Sequence, residues 1–236
     1  PIYVGYAATE TLAGSRLATP LRDVATKVSV MTPEFLQDLA ITSLDDAMLY
    51  SLNTETRFET ADVTSPGGLG LADTTVPGLG STRTRSLGPP NTGHDFFDTV
   101  VPIDAYNTER FTFASGPNSI LFGNSQPSGT IDTTFKRALT NRPRREFSYR
   151  IDDRGSHRAA ADLNQPLVRD QLAVRIATLS DRKHDWRVPA FSNQDRLFAS
   201  VAFTPFQKLS LRAWHESVSL FANPARNTLV QDHVTP

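Results

Sequence analysis

The chain has 236 residues, enough for one or two domains, and its 24 Lys plus Arg are balanced by 25 Asp plus Glu. A net charge of −1 removes the case for nonspecific nucleic-acid binding, and the absence of cysteine removes disulfide frameworks and thiolate metal sites. No stretch approaches the ~20 consecutive apolar residues of a membrane helix, whereas barrel strands, which alternate over roughly ten residues each, stay open.

The chain starts abruptly at Pro1, without Met or a basic leader, and stops at Pro236. Such ends are expected of a fragment of something longer. Residues 2–19 contain Tyr3, Gly5 and Tyr6 followed by small and hydroxyl residues, and read as an extended lead. Val24 to Val30 is the next strand candidate, with Val28 and Val30 on one face. Thr32 is placed to cap a helix, because Pro33 suits its first position and Glu34 suits the positive end of its dipole. Phe35, Leu36 and Leu39 form its apolar stripe. Ser43 starts a second helix, with Asp45 and Asp46 in the first turn and Leu44, Ala47 and Met48 on one face.

Residues 53–100 are rich in Gly, Pro, Thr and Asp and cannot form a continuous helix; a loop this long is not inert packing. Inside it, Thr82 to Leu87 alternates as a strand does. From Arg110 to Ala138 the pattern is clearest. Phe111 and Phe113 point one way, Thr112 and Ala114 the other. Gly116-Pro117 turns the chain, Ile120-Leu121-Phe122 is a short apolar run, and Gln126-Pro127-Ser128-Gly129 turns it again. Thr130 to Lys136 is then a strand with Ile131 and Phe135 facing inward.

Residues 139–236 read as antiparallel strands. Phe147, Tyr149 and Ile151 alternate with polar partners; so do Ala159, Ala161 and Leu163, then Leu172, Val174 and Ile176. Leu197, Ala199, Val201 and Phe203 mark a longer strand, and Leu209, Leu211 and Ala213 the next. Asp152 to Gly155 and Pro205-Phe206 are expected turns, and the polar stretch Arg182 to Asn193 is expected to be a surface loop. An apolar face opposite one of Arg, Asp, Gln and Ser suits either a half-buried sheet in water or strands with lipid outside and solvated residues inside.

The order of spaced elements around residues 109–137 resembles the end of the plug domain of TonB-dependent outer-membrane receptors. Glu109-Arg110, Gly116-Pro117, Phe122-Gly123, Gly129, Ile131 and Lys136-Arg137 stand where that family has its ER, GP, YG or FG, GG-x-(I/V) and K-R/K elements. Upstream, Gly5-Tyr6 with the following TLAGSRL, then Ser29-Val30, Thr32, Leu36 and Ser43 to Ala47, are similar to the family's opening, and Arg85-Ser86-Leu87 matches its (I/V)-R-G-(F/L) strand except at Ser86. Ser115 replaces a usual Arg or Lys, which removes a cation the family commonly keeps in the plug, and Asp132 replaces a usual Asn.

The resemblance implies an α+β plug domain at residues 1–138, followed at 139–236 by the first antiparallel strands of an incomplete transmembrane β-barrel. It implies a place in the bacterial outer membrane and active uptake of a scarce solute, a siderophore, cobalamin or an oligosaccharide. Partners would be outer-membrane lipid, the solute, and TonB of the inner-membrane energising complex, acting on a segment upstream of Pro1; nucleic acid is not among them. Because the family's apical plug loops touch substrate, His94, Asp95, Phe96 and Phe97 are the candidate contacts. The runner-up is a soluble β-rich binding module whose strands form a sandwich.

Enzymatic chemistry finds little support. None of His94, His157, His184, His215 and His233 has HExxH spacing, so no metal site is expected. Gly123-Asn124-Ser125-Gln126-Pro127 misses the GxSxG elbow because Pro127 stands where the closing Gly is needed. Gly67-Gly68-Leu69-Gly70 lacks phosphate-loop spacing. Asp45-Asp46 and Asp152-Asp153 suit a helix start and a hairpin turn. Neither a catalytic group nor a cofactor is expected.

Overall fold

A computed structural model describes residues 3–11, 19–24, 27–56, 82–85, 90–99, 101–116, 127–186, 188–206 and 208–223. The run Ile120 to Phe122, Gly123 to Gln126 of the near-elbow, Gly67 to Gly70 and His233 lie outside the described residues.

Two short pairs open the chain: β1 (Tyr3–Val4) with β2 (Ala7–Ala8), and β3 (Glu10–Thr11) with β4 (Thr19–Pro20). Then come β5 (Val28–Met31), α1 (Pro33–Asp38) and α2 (Leu44–Met48). The Thr32 side chain accepts from the Phe35 amide at 3.3 Å, as its position before Pro33 requires. Ser43 and Asp46 form a reciprocal capping box, and Asp46 also takes the Thr42 amide and hydroxyl. Burial would raise the acid of Asp46, but its hydrogen bonds with Ser43 and Thr42 outweigh that and hold it below the ordinary carboxylate range.

β6 (Thr54–Thr56) pairs with β7 (Thr82–Thr84), so the expected strand at 82–87 ends earlier among the described residues, in a turn at Arg85 with φ 58°. β8 (Asn91–His94), β9 (Phe97–Asp98), β10 (Thr108–Ala114) and β11 (Thr130–Phe135) join β5 in a five-stranded sheet of order β5-β10-β11-β8-β9. All pairings are antiparallel except β11 with β8. Phe111, Phe113 and Ile131 point from this sheet into a core with Met31, Leu36, Ile41, Leu44, Ala47, Met48 and Ile103. Leu36 seals the expected stripe of α1, while Leu39 is left partly exposed. Gly129 is required where it stands: its φ is +109°, and an added Cβ would lie 2.4 Å from the Ala114 carbonyl oxygen.

β12 (Arg144–Ile151), β13 (His157–Val168), β14 (Leu172–His184), β15 (Phe191–Phe206) and β16 (Leu209–Asn223) form a second sheet in simple meander order. β14 and β15 stay paired from Leu172↔Phe203 out to His184↔Phe191. The expected loop at 182–193 therefore shrinks to 185–190, because polar side chains there still find cross-strand partners: Arg182 holds Asp195 at 2.8 Å. Likewise Pro205 and Phe206 extend β15, and β16 begins at Leu209.

This sheet is inside out by the standards of a soluble protein. Phe147 is 73% exposed, and Tyr149, Ile151, Leu167, Leu211 and Phe221 are exposed with it. The opposite face buries Arg175 at 1% exposure, with Asp162, Asn164 and Arg196 beside it. Exposed apolar bodies over buried charges are unfavourable in water and are what a lipid-facing strand needs. Among the described residues the sandwich alternative does not form; the apolar faces meet no second sheet there, and the polar faces pack against the α+β layer.

Candidate functional site

The seam between the two layers carries the molecule's dense polar chemistry. Three inward arginines of the second sheet reach groups outside it. Arg158 on β13 binds Asp104 at 2.6 and 3.0 Å and Asp181 at 3.0 Å. Arg175 on β14 grips Asp162 with two bonds of 2.7 and 2.6 Å, donates to the Arg137 carbonyl at 2.9 Å, and has Glu109 at 3.8 Å. Lys136 reaches the same Asp162 at 2.9 Å. Arg196 on β15 donates to the Pro102 carbonyl at 2.7 Å. The Tyr106 hydroxyl donates to Glu216 on β16 at 2.8 Å, and burial together with that carboxylate raises its pKa. The cation missing at Ser115 is thus not the source of ion pairing; the second sheet supplies the cations and residues 102–109 accept them.

Local geometry explains why these groups meet. Residues 102–109 run down the polar face of the second sheet before β10 turns away, and Lys136 and Arg137 follow β11 back to it. Phe135 closes the apolar part of the seam, stacked on Phe198 at 5.2 Å and against Trp214 at 4.4 Å.

A cavity of about 320 Å³ opens in the seam at the end carrying the reversals 152–156 and 185–190. α2 contributes Asp45, the loop before β10 contributes Asp104, and the second sheet contributes Arg158, Lys183 and Gln194. Asp45 Oδ1 is buried with no hydrogen-bond partner among the described residues, and burial followed by Asp46 repulsion pushes its acid up while Lys183 opposes. Among the described residues no cluster of His, Asp and Glu is arranged to hold a metal ion.

The four expected contact residues lie elsewhere and do not share one surface. They form the hairpin between β8 and β9, at the end of the seam near Arg137 and Arg212 and the connections from β13 to β14 and from β15 to β16. His94 is buried, stacked on Phe135 at 4.1 Å and hydrogen-bonded to Thr133; burial lowers its pKa to about 4. Asp95 faces Arg137 at 3.8 Å. The Phe96 amide donates to Asp132 at 2.8 Å, and only Phe97 is openly exposed. Asp132 is itself buried, and that burial pushes its acid up to about 7.

Residues 20–130 match the family model described as the TonB-dependent Receptor Plug Domain. The chain carries a TonB-dependent receptor plug domain. The ferrioxamine receptor of Yersinia enterocolitica is 29% identical over 140 residues, covering 56% of this chain and 18% of that protein. The catecholate siderophore receptor Fiu of Escherichia coli K12 is 23% identical over 190 residues, covering 73% of this chain and 21% of Fiu. The chain therefore spans about a fifth of the length of the curated relatives it matches. In fold it superposes on the closed crystal form of Fiu with TM-score 0.78 at 21% identity, over 93% of this chain and 30% of that one. On the ferripyoverdine receptor of Pseudomonas aeruginosa bound to ferripyoverdine the TM-score is 0.77 at 14% identity, over 91% and 28%. The first layer is thus a receptor plug, the second sheet is the start of an unclosed barrel, and the protein's place is the outer membrane.

The interlayer arginines were not singled out in the sequence, yet a weak signal existed. Arg158, Arg175 and Arg196 each interrupt a strand on the face opposite its apolar residues, where a soluble sheet in water would give a cation no fixed partner.

Proposed function

We propose that this chain is the plug and first barrel strands of a receptor that takes up a ferric siderophore with energy from TonB. The plug would end near Ala138, and the wall would begin with β12. The observation that carries the reading is the seam: a lipid-facing sheet whose buried polar face is clamped to a plug by Arg158, Arg175 and Arg196. A barrel of roughly 22 strands filled in this way admits no free diffusion, so a solute passes only if force rearranges the plug. The curated relatives named for siderophores favour that cargo over cobalamin or an oligosaccharide. The chemistry asked of the chain is binding and release, without turnover of the solute.

Short reversals mark the periplasmic end of an outer-membrane barrel and longer ones the outer end. The connections from β13 to β14 and from β15 to β16 are the shorter pair, so the cavity beside Asp45 and Lys183 faces the solute's side. The hairpin 94–97 would then meet solute only on the exit side, through Phe97. The test is uptake of radiolabelled iron by cells carrying the full-length gene, with each of several purified siderophores. Uptake of one of them that vanishes on deletion of the gene, and again on deletion of TonB, is expected. Growth and uptake unchanged for all siderophores, with vitamin or sugar import lost instead, would move the cargo to the other class.

A further inference from the structure

The outer rim of the barrel wall at its short-turn end repeats one arrangement three times. Arg145, at the foot of β12, is exposed on the same outward face as Phe147. Arg169 follows the exposed Leu167 and Val168 at the foot of β13, with its side chain 87% exposed. Lys208 sits exposed between Phe206 and Leu209, both exposed, where β15 passes to β16. Arg142 adds a fourth exposed cation just before β12. Against these stands the exposed carboxylate of Asp170, 3.9 Å from Arg169, a pairing between solvated side chains that holds little charge. Glu146 is committed to Arg144 at 2.8 Å. At the other end of the wall Ile151, at the head of β12, is followed by Asp152 and Asp153 before Arg154.

A cation beside apolar residues at the edge of a lipid-facing band lays its alkyl stem along the hydrocarbon and lifts its charge to headgroup level. At that level the complementary group is a phosphate. We propose that Arg142, Arg145, Arg169 and Lys208 form a collar that selects anionic phospholipid headgroups of the inner leaflet. The inference rests on the outer-membrane placement of the barrel and is independent of which solute it carries. The spacing favours several lipids, one at each strand foot, over a single bound molecule. Each cation near an anionic surface contributes roughly a fivefold preference.

The experiment uses the full-length receptor in detergent, offered equal amounts of phosphatidylglycerol and phosphatidylethanolamine and read by native mass spectrometry. Retained lipid should be enriched at least about fivefold in phosphatidylglycerol. The Arg145→Gln, Arg169→Gln, Lys208→Gln triple variant should lose most of that enrichment, the corresponding variant with Lys at 145 and 169 should keep it, and Arg154→Gln at the opposite end should leave it intact. These positions are exposed, and an unchanged far-ultraviolet β-sheet spectrum verifies that each variant is folded. Equal retention of the two lipids by the unmodified receptor overturns the proposal. So does an enrichment that survives the triple variant, or one that Arg154→Gln lowers as much. Loss of solute uptake in any of these proteins bears on the function proposed above and not on the collar.

Discussion

Replacing Asp132 with Asn should remove a pH dependence that the plug carries at neutral pH. Asp132 lies on β11 in a buried site and accepts the Phe96 amide at 2.8 Å; burial raises its pKa most, Asp95 adds to the rise, and the Phe96 bond and Arg110 oppose it. Its pKa rises from 3.8 to about 7. A carboxyl group whose folded pKa lies above its unfolded value binds its proton more tightly when folded. Its contribution to stability is therefore complete below pH 4 and is lost as pH climbs through about 7. A rise of this size corresponds to about 4 kcal/mol lost across that window. Asn keeps an oxygen for the Phe96 amide and carries no charge, so the variant should be flat where the wild type slopes. Hydrogen exchange at the Phe96 amide in the full-length receptor, corrected for intrinsic rates and followed from pH 4 to pH 8, measures the opening that breaks this bond. His94 slopes the other way: its pKa is lowered to about 4, so its contribution falls as pH drops below its ordinary 6.5. Subtracting variant from wild type cancels the His94 slope, since both proteins carry it. A difference that stays constant from pH 4 to pH 8 would refute the reasoning.

Further outcomes follow from the seam and the turn. Arg158→Ala leaves the buried Asp104 without its charge partner and should cost about 3–5 kcal/mol of plug docking, seen as faster exchange of the 102–108 amides; adding Asp104→Ala should recover much of it. Tyr106→Phe removes one hydrogen bond to a carboxylate, so its loss should be smaller, about 1.5–3 kcal/mol, by the same readout. Gly129→Ala must move the Ala114 carbonyl and hold a positive φ with a Cβ, so it should destabilise the β10–β11 pairing by about 2 kcal/mol or more in limited proteolysis titrations.

Much of the architecture could be read before any coordinates. The alternation of Phe111 with Thr112 and of Ile131 with Asp132 assigned β10 and β11 and their core faces, because side chains on a strand repeat every second residue whatever surrounds them. Thr32-Pro33 and Ser43 with Asp46 announced both helix starts, because caps are local hydrogen bonds. Reversals were less secure. Arg182 to Asn193 looked like a loop by polarity, and its ends proved to be strand, since pairing such as Lys183↔Ser192 depends on a partner that composition does not reveal.

The hairpin 94–97 shows the same boundary more sharply. Its sequence, a His and an Asp before two Phe, reads as an exposed contact loop. Its conformation is set by Asp132, 36 residues from Phe96 along the chain, and by Phe135 stacked on His94.

What the amino-acid order determined by itself was periodicity: which residues share a face, where helices begin and where a Gly must turn the chain. Only the tertiary arrangement decided which face of the barrel wall is wet. Alternation is identical for a sandwich strand and a membrane strand, and the choice came when residues 102–109 were laid against Arg158, Arg175 and Arg196, filling the polar side and leaving the apolar side to lipid.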